Sequence, residues 1–300
     1  MRFDRREVWT MEKKTFAVIG GDIRYAHLAS QLCADGHTVF AACLEKAREY
    51  IGNAVIAKAA AAAAMSEIVI LPVIPADPLG NVSAPLSDNI QQNSQQFCSL
   101  LGETTVFAGM PHRLAGAGEH AKRLKIYDYS ARESFIIRNA QATAEGVIAC
   151  AVQKMPVTLC GSTCTVTGFG RTARFTAILL SSFGAKINIA ARSETDRAWA
   201  MSLGYNAVPL SALENIIGNT DLLVNTVPAE IIGEPLLRRI KKGCVIIDIA
   251  SAPGGVDTYT ASKLNIACFC ELGLPGRFSP VTAAGIIKDT VLAMLDEELS

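Results

Sequence analysis

Between Thr163 and Ala173 the chain reads Thr-Cys-Thr-Val-Thr-Gly-Phe-Gly-Arg-Thr-Ala, a β-branched run that breaks into the spacing G-x-G-x-x-A. That spacing suits one kind of chemistry, the holding of a dinucleotide by backbone groups. Gly168 permits a tight turn, Gly170 lets the backbone approach a diphosphate, and Ala173 lets the following helix lie close on the strand. The helix start then offers N–H groups and a positive dipole end to the phosphates. Gly168, Phe169, Gly170, Arg171, Thr172 and Ala173 are therefore read together as a cofactor loop. At the expected offset of about 20 residues, the strand Lys186–Ala191 delivers Arg192 and Ser193. An acidic residue there would bind the 2′-hydroxyl of NAD, whereas an arginine and a hydroxyl suit the 2′-phosphate of NADP. NADP is the expected cofactor, with Arg192 and Ser193 as principal ligands and Arg171 and Arg197 within reach of the same phosphate. Glu194 is also placed to take a ribose hydroxyl.

Such a loop works only between a strand and a helix, and both are legible. Thr163–Thr167 is β-branched and alternating, and residues 174–183 keep apolar side chains at helical spacing until Gly184. Strands are expected next at residues 221–225, 244–250 and 265–270, with a helix at 234–240. The first half repeats the α/β pattern. Thr15–Ile19 reads as a strand, Gly20-Gly21-Asp22 as a turn, Ile23–Ala34 as a helix and residues 38–43 as a second strand. Ala59–Ala64 favours helix but is expected to bury little. Further strands are expected at 68–72, 105–108 and 125–127, and helices at 88–100 and 112–123. Residues 139–153 read as a long helix joining the halves, closed by Met155-Pro156. The fold class is thus α/β: two doubly wound Rossmann-like domains with a cleft between them, and a C-terminal helix, residues 283–297, returning to the first. The expected organisation is a poorly ordered extension at 1–12, a substrate domain at 13–150 with 283–300 packed back, and an NADP domain at 151–282. Gly20-Gly21-Asp22 is not a full dinucleotide fingerprint, which assigns the first domain to substrate.

Composition agrees and excludes other classes. The 300 residues carry no net charge, half are hydrophobic, and mean hydropathy is +0.28, as expected of parallel strands buried on both faces. Nothing electrostatic argues for nucleic acid or anionic membrane. There is no uninterrupted apolar run of transmembrane length and no apolar signal segment behind the charged start. The nine cysteines lack C-x-x-C pairs and the four histidines lack metal spacing, so the thiols are read as small buried hydrophobes in a reducing cytoplasm.

Seven stretches, taken in order, resemble the A subunits of dipicolinate synthase from spore-forming bacteria, over nearly everything after residue 13. They are Ile19-Gly-Gly-Asp22-Ile-Arg24, Asn139 to Gly146 with its Thr143-Ala-Glu145-Gly, Gly168 to Ala173, Ala191-Arg192-Ser193, Asn225-Thr226-Val227-Pro228, Asp248-Ile-Ala-Ser251-Ala-Pro-Gly-Gly255 and Leu274-Pro-Gly-Arg277-Phe-Ser-Pro-Val-Thr282-Ala. The resemblance implies oxidation of dihydrodipicolinate, or its hydrated precursor, to dipicolinate. NADP would accept the hydride and a flavoprotein-like second subunit would be the partner, in the cytoplasm of the mother cell. A homo-oligomer is also expected. Two substrate carboxylates call for arginines or helix N-termini. Arg24 and Arg277, the latter in a loop returning towards the first domain, are the candidates, with Ser251 and Thr282 beside them. Asp22 and Glu145 are candidate proton acceptors. Asn225, Thr226, Val227 and Pro228, at a strand end, are expected near the nicotinamide ribose. Other readings stay open: another NADP-dependent dehydrogenase, of the methylenetetrahydrofolate or shikimate type, and a non-catalytic NADP-binding subunit.

Overall fold

Short runs rich in Val, Ile, Ala and Thr become strands because each is bounded by glycine, proline or polar turns too close together for a helix. The computed structural model describes residues 12–77, 80–88, 93–101, 104–117 and 124–299. The extension expected to be poorly ordered lies outside these, Glu12 excepted. The chain divides into two compact units, one running to Phe135 and taking in the residues from Ala284 on, the other spanning Ile136–Ala283.

In the first unit the strands are β1 (Thr15–Ile19), β2 (Thr38–Ala42), β3 (Val55–Ile56), β4 (Ile68–Ile70), β5 (Thr105–Ala108) and β6 (Ile126–Asp128). They form one parallel sheet in the order β3-β2-β1-β4-β5-β6. In the second unit β7 (Thr163–Thr167), β8 (Lys186–Ala191), β9 (Asn206–Pro209), β10 (Leu222–Asn225), β11 (Val245–Asp248) and β12 (Ala267–Cys270) form another, ordered β12-β11-β10-β7-β8-β9. Counted within its own unit, each sheet has the doubly wound order 3-2-1-4-5-6. The chain reverses direction across the sheet between β1 and β4, and again between β7 and β10. Ligands of such sheets bind outside the carboxyl ends of the strands at that switch point. β1 and β10 are buried throughout or nearly so, which explains the hydrophobic composition.

Several expectations change in detail. The alanine helix Ala59–Ala64 is no loose connector: Ala59, Ala62 and Ala63 join the core with Ala17, Val69, Phe97 and Val106. Small side chains let that helix lie directly on the sheet. The helix expected from residue 88 starts at Ser94, where Asn93 caps it by accepting from the Gln95 N–H at 2.9 Å; residues 89–92 lie outside the described chain. In the described part of the helix expected at 112–123 the chain forms a 3₁₀ segment, Pro111–Ala117; residues 118–123 lie outside the described chain. The long helix begins at Glu133, six residues earlier than expected, and runs to Lys154. Asp128 caps the preceding 3₁₀ turn Tyr129–Ala131 and so brings the chain to that start. The last helix, Pro280–Leu299, opens on its proline, whose missing N–H costs nothing in a first turn. The helix expected at 234–240 is the single turn Glu234–Leu237.

Candidate functional site

At the carboxyl end of β7, Gly168 stands at φ +81°, and an added Cβ would lie 2.7 Å from Thr226 Oγ1. Only glycine fits there. Gly170 is different in kind. Its φ of −72° and ψ of −171° suit any residue, and an added Cβ would meet nothing within 4 Å. The missing side chain therefore leaves open space over the loop, which is what an approaching diphosphate requires. Gly170 is also the N-cap of the helix Arg171–Ser182, and no side chain caps it. An uncapped helix start leaves first-turn N–H groups for an anion. Ala173 is buried and packs with Cys164 and Val166 of β7, the close helix-on-strand approach expected of it. Phe169 turns its ring into the same core, so the turn Gly168–Gly170 presents its backbone. Its carbonyl accepts from Arg174 Nε at 2.9 Å. Thr172 is half-buried and Arg171 exposed.

At the end of β8, Arg192 and Ser193 are both exposed. Ser193 caps the helix Glu194–Ser202, its Oγ accepting from the Asp196 N–H at 3.3 Å. Arg197 folds back, and its Nη1 donates to the carbonyls of Ala191 at 2.9 Å and Arg192 at 2.6 Å. Its charge is thus held against the strand end, next to Arg192 and Ser193.

Beneath this rim lies a buried polar network. Thr167 Oγ1 donates to Asn225 Oδ1 at 2.6 Å, and the Val227 N–H donates to the same oxygen at 3.2 Å. Asn225 Nδ2 donates to Val227 O at 3.1 Å and to Asp248 Oδ1 at 2.7 Å. The amide thereby uses both donors and both acceptor sites inside the protein. Asp248 also accepts from the N–H groups of Ala250 at 3.0 Å and Gly255 at 2.9 Å. Thr226 Oγ1 donates to Thr167 O at 2.7 Å. Asn225, expected beside the nicotinamide ribose, ties together the ends of β7, β10 and β11; Val227 is half-buried above it and Pro228 exposed. Periodicity gave no sign of this pairing, because Thr167 and Asn225 are 58 residues apart.

In the first unit, Gly20 and Gly21 adopt φ +73° and +87°. Asp22 caps the helix Ile23–Ala34, with Oδ1 accepting from the Arg24 N–H at 3.1 Å. The same carboxylate holds the Arg24 guanidinium: Nε donates to Oδ1 at 2.9 Å and Oδ2 at 3.2 Å, and Nη2 to Oδ2 at 2.8 Å. Tyr25 and Tyr129 form a buried hydroxyl pair at 2.9 Å. Tyr129 donates to Leu71 O at 3.0 Å, so the proton between the two rings belongs to Tyr25, which also accepts from the Val73 N–H at 2.6 Å. Burial pushes both phenols up. The pair fixes the loop after β4 to the helix after β1.

The remaining candidates are spread through the second unit and its border. Arg277 lies in a short helix, Leu274–Phe278, rather than in a loop. Its Nη1 donates to Glu271, whose other oxygen pairs with Lys154 Nζ at 3.2 Å. Burial alone would push the Glu271 carboxyl up, but the two cations outweigh it and hold it below its usual range. This ion triad was not anticipated. Glu145 is exposed on the long helix, and its side chain makes no hydrogen bond or ion pair among the described residues. Ser251 is exposed, its carbonyl accepting from the Gly254 N–H at 3.0 Å, and Thr282 is exposed in the first turn of the last helix. The cysteines are all free; Cys98, Cys150, Cys164 and Cys244 are buried as expected, whereas Cys160 and Cys270 are exposed. Among the described residues no helix is long and apolar enough to cross a membrane, and no three His, Cys, Asp or Glu side chains converge as metal ligands.

Residues 131–257, which contain the G-x-G-x-x-A loop and the network, match the NAD-binding domain of the D-isomer specific 2-hydroxyacid dehydrogenases. Residues 15–129 match the N-terminal domain of the dipicolinate synthase A subunit. Over 290 residues the chain is 28% identical to the A subunit of dipicolinate synthase from Bacillus subtilis (strain 168), covering 94% of this chain and 95% of that protein. The crystal structure of the Bacillus subtilis dipicolinate synthase A subunit superposes with a TM-score of 0.81 at 27% identity, covering 96% of this chain and 97% of the other. Its counterpart from Bacillus halodurans shares the fold at a TM-score of 0.84 and 24% identity, over 94% and 97%. A transhydrogenase from Sinorhizobium meliloti shares it at 0.70 and 14%, over 94% of each chain. The chain thus pairs a stretch that matches the N-terminal domain of dipicolinate synthase A subunits with one that matches the NAD-binding domain of dehydrogenases, and it resembles those A subunits over nearly its whole length.

Proposed function

We propose that this protein is an NADP-dependent dehydrogenase, the A subunit of a dipicolinate synthase, which oxidises dihydrodipicolinate, or its hydrated precursor, to dipicolinate. The observation that carries the reading is the N-terminal domain match, which is specific to such subunits; it is followed by a cofactor domain with an open fingerprint loop. NADP, when bound, supplies the acceptor for the hydride. Formation of the aromatic ring from dihydrodipicolinate releases that hydride from one ring carbon and a proton from the ring, so two electrons and two hydrogens leave the substrate; the hydrated precursor must lose a water as well.

The protein's share of this chemistry is binding and alignment. The space over Gly170 and the uncapped start of the helix Arg171–Ser182 suit a diphosphate. Arg192 and Ser193 would bind the 2′-phosphate, with the charge of Arg197 held close by. Asn225 and Asp248 act from beneath, fixing the strand ends on which the cofactor rests. Arg24 takes a substrate carboxylate; Arg277, Ser251 and Thr282 are the polar candidates that the second unit offers. The proton leaves to Glu145 or to water. The enzyme works in the cytoplasm of the mother cell as a homo-oligomer, with a flavoprotein-like second subunit.

The test is NADPH formation, followed at the nicotinamide absorbance with dihydrodipicolinate generated in place, with and without the second subunit. Dipicolinate appearing in step with NADPH in either arm is the expected result. NADP binding without turnover in both arms would sink the reading and favour a regulatory role.

A further inference from the structure

The turn after β1 has the outline of a nucleotide-binding loop, but its donors are already spent. The Gly21 N–H donates to Ser83 O at 2.7 Å, and a Cβ on Gly20 would lie 2.7 Å from that same carbonyl. Ser83 therefore occupies the ground over Gly20. The N–H groups of Arg24 and Tyr25 go to the side chain and the carbonyl of Asp22. The backbone offers a diphosphate little, in contrast to the open loop at Gly170. What is left is the guanidinium of Arg24. Its side chain is 14% exposed, Asp22 grips Nε and Nη2, and among the described residues no acceptor meets Nη1. A cation in the first turn of a helix also opposes the dipole. Asp22 offsets that cost, so the pair maintains a positive group where the helix alone would disfavour one.

We infer that Arg24 is the receptor for a small carboxylate in the first unit, binding through its Nη1 edge, and that Asp22 is its positioning residue and not a proton acceptor. The inference rests on the reading that this unit takes the substrate and the second unit the cofactor. Both Asp22 oxygens accept two hydrogen bonds each, from the Arg24 N–H and Nε and from Nε and Nη2. Nε shares its one hydrogen between the two oxygens, so three donor hydrogens commit the carboxylate to Arg24, which is the arrangement of a positioning group. A guanidinium already held in one rotamer loses little freedom on meeting its ligand.

The experiment is calorimetric titration of the full chain with dipicolinate and with a panel of small carboxylates, namely pyridine-2-carboxylate, phthalate and isophthalate. NADP is titrated separately and each variant is checked by thermal melting. Asp22→Asn keeps the helix cap, since asparagine caps as well as aspartate. It should weaken carboxylate binding by about tenfold or more, as loss of charge-assisted hydrogen bonds implies, with NADP affinity unchanged. Arg24→Gln should abolish carboxylate binding, and Arg24→Lys, which keeps the charge without the fork, carries the same test if the glutamine variant fails to fold. Turnover of Asp22→Asn should fall through KM, with the acid limb of the kcat profile retained; a proton acceptor would instead lose kcat and that limb. Wild-type carboxylate affinity in either Asp22→Asn or Arg24→Gln overturns the inference, as does a wild-type protein that binds no carboxylate of the panel. A wild type that ignores dipicolinate but binds another carboxylate through Arg24 would leave the inference standing and remove the proposed substrate.

Discussion

Replacing Gly170 by alanine separates folding from cofactor binding at one carbon atom. The backbone there, φ −72° and ψ −171°, suits alanine, and the new methyl would meet nothing within 4 Å. Restricting the unfolded chain stabilises by about 0.4–1 kcal/mol, while alanine is a poorer N-cap than glycine by about the same amount. The two offset, so the melting temperature should move by no more than a few degrees, at about 2–4 °C per kcal/mol for a unit of this size. Binding should suffer far more, because the methyl fills the space a diphosphate needs to reach the helix N–H groups. Loss of one charge-assisted hydrogen bond is worth about 1.5–3 kcal/mol, which is about 10- to 150-fold in Kd. Fluorescence titration of NADPH against the folded variant reads this directly. Gly168→Ala is the contrast: at φ +81° and 2.7 Å from Thr226 Oγ1 it should lose stability by at least about 1–2 kcal/mol before any ligand is added. Wild-type NADPH affinity in Gly170→Ala would refute the assignment of that space to the diphosphate.

Three further outcomes follow from the same geometry. Arg192→Ala should weaken NADP by about tenfold or more while leaving NAD unchanged, since only the former has a phosphate there; equal losses for both would mean Arg192 does not read the 2′ position. Asn225→Ala strands Thr167 Oγ1 and the Val227 N–H and takes from Asp248 Oδ1 one of its two donors, the Ala250 N–H remaining. It should destabilise by about 2–3 kcal/mol or more, measured by denaturant melts. Glu271 has its folded pKa depressed by Arg277 and Lys154, so its stabilising contribution is present above the ordinary glutamate range and is lost as pH falls through the folded value. Melts of Glu271→Gln against wild type should converge as pH is lowered below about 4.3; a gap that persists there would mean packing, not charge, holds the short helix.

Local chemistry makes the dinucleotide loop legible in the sequence alone. A β-branched strand, two glycines and a small residue at fixed spacing dictate β7, its turn and the helix start, because those constraints act over a dozen neighbouring residues. The helix Ile23–Ala34 and the alanine helix Ala59–Ala64 were delimited residue by residue for the same reason. Which side chains are free for chemistry was a different matter. Asn225 looked like a cofactor ligand at a strand end, but Thr167, Val227 and Asp248 saturate its amide. Arg277 looked like a loop arginine, but Glu271 holds it in a helix. Ser83 closes the ground over the first glycine turn from a distance of more than 60 residues. Spacing along the chain determined the two sheets and the open loop. Only the tertiary structure decided which polar groups remain unspent, because a hydrogen bond between residues far apart in sequence leaves no periodic mark.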